Sequence, residues 1–108
     1  MNQTNPTNND GFKKSVFISH ASKNFKIADE IRSLLEARGV SCWIAPRNIP
    51  GGYQYGTAII EAIRDCTMTL LVLTDESNQS SAVRNEIERA FSYQKTIVPV
   101  RLRALAPS

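Results

Sequence analysis

The chain has 108 residues, 42% of them hydrophobic and 21% charged, with 5 Gly and 5 Pro. That is the balance of one ordinary globular domain, and it excludes a multidomain enzyme, a fibrous protein and a wholly disordered chain. The net charge of +3 and pI ≈ 9.1 leave nucleic acid as a partner to be weighed. The bases run from Lys13 to Arg103 interspersed with acids, lacking the basic stripe and interleaved aromatics that phosphate binding favours, so a mildly basic solvated surface is expected instead.

Residues 1–10 hold four Asn, two Thr, Gln and Pro. They lack the basic and apolar blocks of a signal peptide, and residues 1–12 are expected to form a disordered leader. The domain proper is expected over residues 13–103, with 104–108 as a tail. Val16, Phe17 and Ile18 form an unbroken apolar run, which suits a strand covered on both faces. Ile27, Ile31, Leu34 and Leu35 then recur at helical spacing, predicting one apolar stripe. Ser22 or Asn24 is placed to cap that helix, and Gly39 to supply the left-handed residue that ends it.

A second strand is predicted over residues 40–44. It leads into a loop, residues 45–54, where Pro46, Pro50, Gly51 and Gly52 forbid regular structure. Ala58, Ile59, Ile60, Ala62 and Ile63 predict a second helix ending near Asp65. Residues 68–74 read as a third buried strand; residues 68–73, the longest apolar run, fall far short of the roughly 18 a membrane span needs. A polar connection is expected over 75–81, then a third helix with Val83, Ile87, Ala90 and Phe91 on its buried face. Residues 96–102 read as a fourth strand whose Pro99 cannot donate to a ladder, so it belongs at an edge. Cys42 and Cys66 are too far apart in sequence for a close-spaced pair and are expected to be reduced packing residues, with no disulfide framework and no metal site. Strands alternating with helices predict an α/β domain with right-handed crossovers: a parallel sheet of four strands in order 2-1-3-4, helices on both faces. In such sheets ligands bind at the carboxyl ends of the strands, which singles out residues 19–22, 45–54 and 75–81.

Three segments carry a resemblance. Val16-Phe17-Ile18-Ser19-His20, Gly39-Val40-Ser41-Cys42-Trp43-Ile44-Ala45-Pro46-Arg47, and Glu86-Ile87-Glu88-Arg89-Ala90 ahead of Ile97-Val98-Pro99-Val100 resemble bacterial TIR (Toll/interleukin-1 receptor) domains, from about residue 14 to 102. The resemblance implies a flavodoxin-like three-layer αβα fold, here ending before the family's fifth strand. It implies one of two functions. The first is an NAD+ glycohydrolase that releases nicotinamide and yields linear or cyclic ADP-ribose, activated by self-association in bacterial immune or stress signalling in the cytoplasm. The second is a non-catalytic scaffold for homotypic TIR assembly. NAD+ would be a substrate, and no separate cofactor, metal or membrane partner is implied.

In the family's enzymes a glutamate on the third helix, commonly within Trp-x-x-x-Glu, carries activity. Glu86 stands in that place here, whereas Ala82 stands where the tryptophan would be. Cleaving an N-glycosidic bond to a cationic nicotinamide needs no acid for the leaving group, so one carboxylate facing an oxocarbenium-like transition state can suffice. On a helical wheel Glu86 falls roughly 90° from the centre of the predicted stripe, on its boundary. Its plain alternative is a surface glutamate paired with Arg84 or Arg89; Glu61 and Glu88 are weaker rivals. The resemblance further assigns nucleotide contacts to Ser19, His20, Trp43, Pro46, Arg47 and Tyr55, and self-association to the loop 45–54. Without the resemblance, His20 reads as a structural hydrogen-bonder and Trp43 as core. A phospho-acceptor receiver domain shares the topology but needs a carboxylate at the end of the first strand, where Ser19-His20 stand.

Overall fold

The computed structural model describes residues 15–45 and 55–102, with only the backbone of Tyr55 among the latter. The leader 1–12, the loop positions Pro46 and Arg47, and the tail 104–108 lie outside the described residues. Strands β1 (Ser15–Ser19), β2 (Ser41–Trp43), β3 (Met68–Leu73) and β4 (Thr96–Arg101) form one sheet in the order β2-β1-β3-β4. Every pairing is parallel, as the alternation of strands and helices requires.

Helices α1 (Phe25–Glu36), α2 (Tyr55–Asp65), α3 (Asp75–Asn78) and α4 (Ser81–Ser92) flank it among the described residues. The period-2 alternation of β1 divides the core into two layers. Val16 and Ile18 pack with Ala28, Ile44, Leu70 and Val72 on the α1 side. Phe17 points the other way, into Ile59, Ala62, Ile63, Cys66 and Ala90 under α2 and α4. Neither cysteine is in a disulfide; Cys66 is buried, and burial pushes its thiol up from its ordinary value, as suits a packing residue.

Several expectations are corrected. The second strand is Ser41–Trp43 rather than 40–44. Neither Ser22 nor Asn24 caps α1 with its side chain; the chain enters through a 3₁₀ turn, Ser22–Asn24, whose asparagine side chain is engaged elsewhere. Ile27 and Leu34 are exposed, at 39% and 65%, and Ala28 is the α1 residue pressed flat on the sheet. Small Ala28 allows the close approach, so the buried face of α1 centres on Ala28, Ile31 and Leu35. Phe91 is 76% exposed rather than part of the α4 stripe. The connection 75–81 is not plain loop, because Thr74 opens a helical turn with a capping box: Ser77 N–H donates to Thr74 Oγ1 at 2.9 Å and Thr74 N–H to Ser77 Oγ at 2.8 Å.

Gly39 ends α1 with φ of 85°, the left-handed conformation expected of it. Pro99 lies on the edge strand, as predicted. Leu102 N–H donates to the Leu73 carbonyl at 3.0 Å, and the backbone direction alternates along a strand, so Val100 and Val98 also face β3. Pro99 is therefore turned to the open side, and its missing N–H costs the β3–β4 ladder nothing.

Candidate functional site

The sheet order reverses at its centre: β1 connects outward to β2, and the chain then returns to β3 on the other side of β1. The carboxyl ends of β1 and β3 thus open a crevice. Two side-chain bridges hold its walls. Thr74 Oγ1, just past β3, donates to Asn24 Oδ1 at 2.7 Å, and Asn24 Nδ2 donates to Glu76 Oε1 at 3.4 Å. Hydrogen bonds from its own backbone N–H and from Asn24 hold the Glu76 carboxyl below the ordinary range. The turn leading into α1 is thereby pinned to the end of β3.

Glu86 projects from α4 toward this crevice. With Phe91 outside the stripe, the buried residues Val83 and Ala90 define its centre, and Glu86 lies only about 50° from it at 100° per residue. It is therefore nearer the sheet than the sequence pattern placed it. The partner of its carboxylate is neither Arg84 nor Arg89: the Ser19 hydroxyl, at the end of β1, donates to Glu86 Oε1 at 2.7 Å. Burial pushes the Glu86 carboxyl above its ordinary value, and the Ser19 hydrogen bond and the nearby His20 ring pull it back in part.

His20 is latched between two backbone carbonyls. Nδ1 lies 2.7 Å from the Ala21 oxygen and Nε2 lies 3.1 Å from the Ala45 oxygen. A neutral imidazole has one N–H, so one of these contacts is a hydrogen bond at a time. The ring ties the end of β1 to the residue after β2, with Phe25 tilted against it at 5.8 Å. Its nitrogens are occupied, which leaves its π faces to offer a ligand.

Glu86 and His20 share a cleft of about 360 Å³ with Phe25, Ala45, Ser80 and Ala82. Glu86 and Ala82 also line a second, more apolar groove of about 530 Å³ between α2 and α4, walled by Ile59, Ile60 and Ile63. Ala82, lying between the two, is too small to close one from the other. Of the residues expected at the site, Ser19, His20 and Glu86 come together. Trp43 does not join them: it stacks on Phe17 at 5.2 Å and 17° and packs in the core beside α2. Pro46, Arg47 and the side chain of Tyr55 lie outside the described residues. Phe25 and Ser80 were missed by sequence reasoning. Ser80 had a legible signal, a serine three residues before Val83, whose N–H donates to Ser80 Oγ at 3.1 Å as an N-cap. Asp75 is exposed in the first turn of α3, and among the described residues no cluster of His, Cys, Asp or Glu could hold a metal ion. Nor is any described helix long and apolar enough to cross a membrane.

A parallel sheet in the order β2-β1-β3-β4 with helices on both faces defines the class of flavodoxin-like α/β domains. The chain belongs to the TIR domain family, whose sequence profile matches residues 16–108. No curated protein sequence matches it. Among solved structures it is similar to the TIR domain of the Toll-related receptor TRR-2 of Hydra magnipapillata, with TM-score 0.74 and 18% identity over 86% of this chain and 74% of that one. It is also similar to a TIR-STING receptor of C. gigas, with TM-score 0.70 and 26% identity, covering 84% of this chain but only 31% of that one. A 2-desoxiribosyltransferase of Leishmania mexicana is similar at TM-score 0.65 and 17% identity, over 83% of this chain and 65% of the other.

Proposed function

We propose that this TIR domain cleaves NAD+ between nicotinamide and ribose, with Glu86 as the catalytic carboxylate. The observation that carries the reading is the placement of Glu86: half-buried, at the carboxyl end of β1, on the wall of the cleft that also holds His20 and Phe25. In the reaction the C1′–N bond breaks and its electron pair passes to the pyridine nitrogen, so nicotinamide leaves neutral and unprotonated. Positive charge develops on the ribose, where a carboxylate in a partly desolvated site is worth far more than in water. Water then adds to C1′ and loses a proton, or a nitrogen of the adenine adds instead and closes a ring. His20 and Phe25, both half-buried in the lining of that cleft, suit stacking against a flat heterocycle. The Leishmania enzyme, by its name, transfers a deoxyribosyl group on the same fold.

The test is chromatographic measurement of nicotinamide released from NAD+ by concentrated wild-type protein, Glu86→Gln and Glu61→Gln. Loss of one preorganised charge at the reacting centre costs on the order of 10²-fold or more. That loss is expected for Glu86→Gln and not for Glu61→Gln. Equal turnover by wild type and Glu86→Gln would remove Glu86 from the mechanism.

A second reading, assembly without catalysis, is favoured by Ala82 standing where the family's enzymes carry tryptophan, and by the exposure of Phe91 and Leu34. It predicts self-association in sedimentation with no nicotinamide released. Apart from Ala45, the loop 45–54, the expected contact, lies outside the described residues and enters only as part of this proposal.

A further inference from the structure

Ser19 is the last residue of β1, level with Leu71 of β3, and only 1% of its surface is exposed. Like Phe17 two residues earlier, it faces the α2–α4 side of the sheet. A hydroxyl sealed in that position must find its partner inside the protein. It finds Glu86 Oε1 at 2.7 Å, a contact spanning 67 residues of sequence, and this is a charge-assisted bond of the stronger kind. The hydroxyl has one hydrogen-bond donor, and it is spent on Glu86. With 1% exposure, Ser19 has almost no surface left for a nucleotide, which makes it a poor direct contact.

We infer that Ser19 is the positioning residue of Glu86: its hydroxyl fixes one carboxylate oxygen and leaves the other as the oxygen available to substrate. The inference rests on the reading of Glu86 as the catalytic carboxylate. A glutamate on a helix has three rotatable side-chain torsions, and one bond from a strand end removes most of that freedom before substrate arrives. Among the described residues the surroundings supply little else. The α2 wall of the adjoining groove presents Ile59, Ile60 and Ile63; on α4 itself Asn85, Glu88 and Arg89 line the same groove, yet none of them hydrogen-bonds the carboxylate. The His20 ring, next along the chain from Ser19, also favours the charged form of Glu86, and its two nitrogens lie against the backbone carbonyls of Ala21 and Ala45.

Removing the hydroxyl withdraws a hydrogen bond made to the charged form, so protonation of Glu86 becomes easier. In Ser19→Ala the acid limb of the kcat profile for nicotinamide release is expected about one pH unit higher, with kcat at neutral pH down about 10-fold and KM little changed. Ser19→Thr keeps a hydroxyl and is expected to restore both. A readout independent of turnover is carbon NMR of the Glu86 side-chain carboxyl, titrated in wild type, Ser19→Ala and Ser19→Thr. A midpoint raised in the alanine variant and restored in the threonine variant supports the inference. A Ser19→Ala midpoint and acid limb matching wild type overturn it and leave Glu86 its role. If wild type releases no nicotinamide while Ser19→Ala still raises the midpoint, the proposed function falls and the hold of Ser19 on Glu86 stands.

Discussion

Thr69 lies in the middle of β3, level with Phe17 of β1 and Ile97 of β4, both of which belong to the core under α2 and α4. It is 0% exposed, and its Oγ1 has no hydrogen-bond partner among the described residues. A buried hydroxyl left unpaired costs about 1–3 kcal/mol of desolvation. Thr69→Val replaces that hydroxyl with a methyl of nearly the same shape, among aromatic and aliphatic neighbours that gain apolar contact. The expected gain is about 1–2 kcal/mol. For a domain of this size that corresponds to a rise in Tm of roughly 4–12 °C. Thr69→Ser is the control: it keeps the unpaired oxygen and deletes a methyl, and is expected to cost about 1 kcal/mol. Thermal and urea melts of the three proteins measure both differences. A Thr69→Val protein that melts at or below the wild type would show that the hydroxyl is satisfied after all, and the reasoning from its burial would fail.

Glu86 also predicts a pH dependence of stability. Burial raises its carboxyl in the folded state, so the native protein binds that proton more readily than the unfolded chain, and this group adds stability as pH falls. Glu86→Gln should therefore be the more stable protein at neutral pH, and its advantage should close as pH falls toward the unfolded carboxylate value of about 4.3; urea melts across that range test it, and a constant gap refutes it. The lowered carboxyls of Asp65 and Glu76 act oppositely, losing stability on acidification, but equally in both proteins. At the sheet edge, Pro99→Thr restores an N–H on the open side of β4 without touching the β3 ladder. Self-association measured by light scattering should rise with little change in Tm, and unchanged scattering would show that Pro99 does not guard the edge.

How much of this was legible in the sequence follows from the range of the forces involved. The apolar run Val16 to Ile18, the helical spacing around Ile59 and Ile63, the glycine at 39 and the donor-less Pro99 are local signals. Each acts within one turn or one strand, and with the right-handed crossover rule they point to a parallel sheet with the Pro99 strand at its edge, in keeping with the order 2-1-3-4. Periodicity reports which residues share a face, but not how close the neighbouring element comes. Phe91 and Leu34 fit their stripes by spacing and are exposed all the same, because α4 and α1 roll on the sheet about the small residues Ala90 and Ala28, each 0% exposed. That same roll carries Glu86 inward. The glutamate was legible as a candidate from its motif, while its partner was not: Ser19 and Glu86 are brought within 2.7 Å only when β1 pairs with β3 and α4 folds back over both. The latching of His20 by the carbonyls of Ala21 and Ala45, and the withdrawal of Trp43 onto Phe17, have the same origin. Residue type limits the chemistry available along the chain; which groups lose water together, and hence which carboxylate is shifted and which hydroxyl is spent on it, is decided only when distant segments pack.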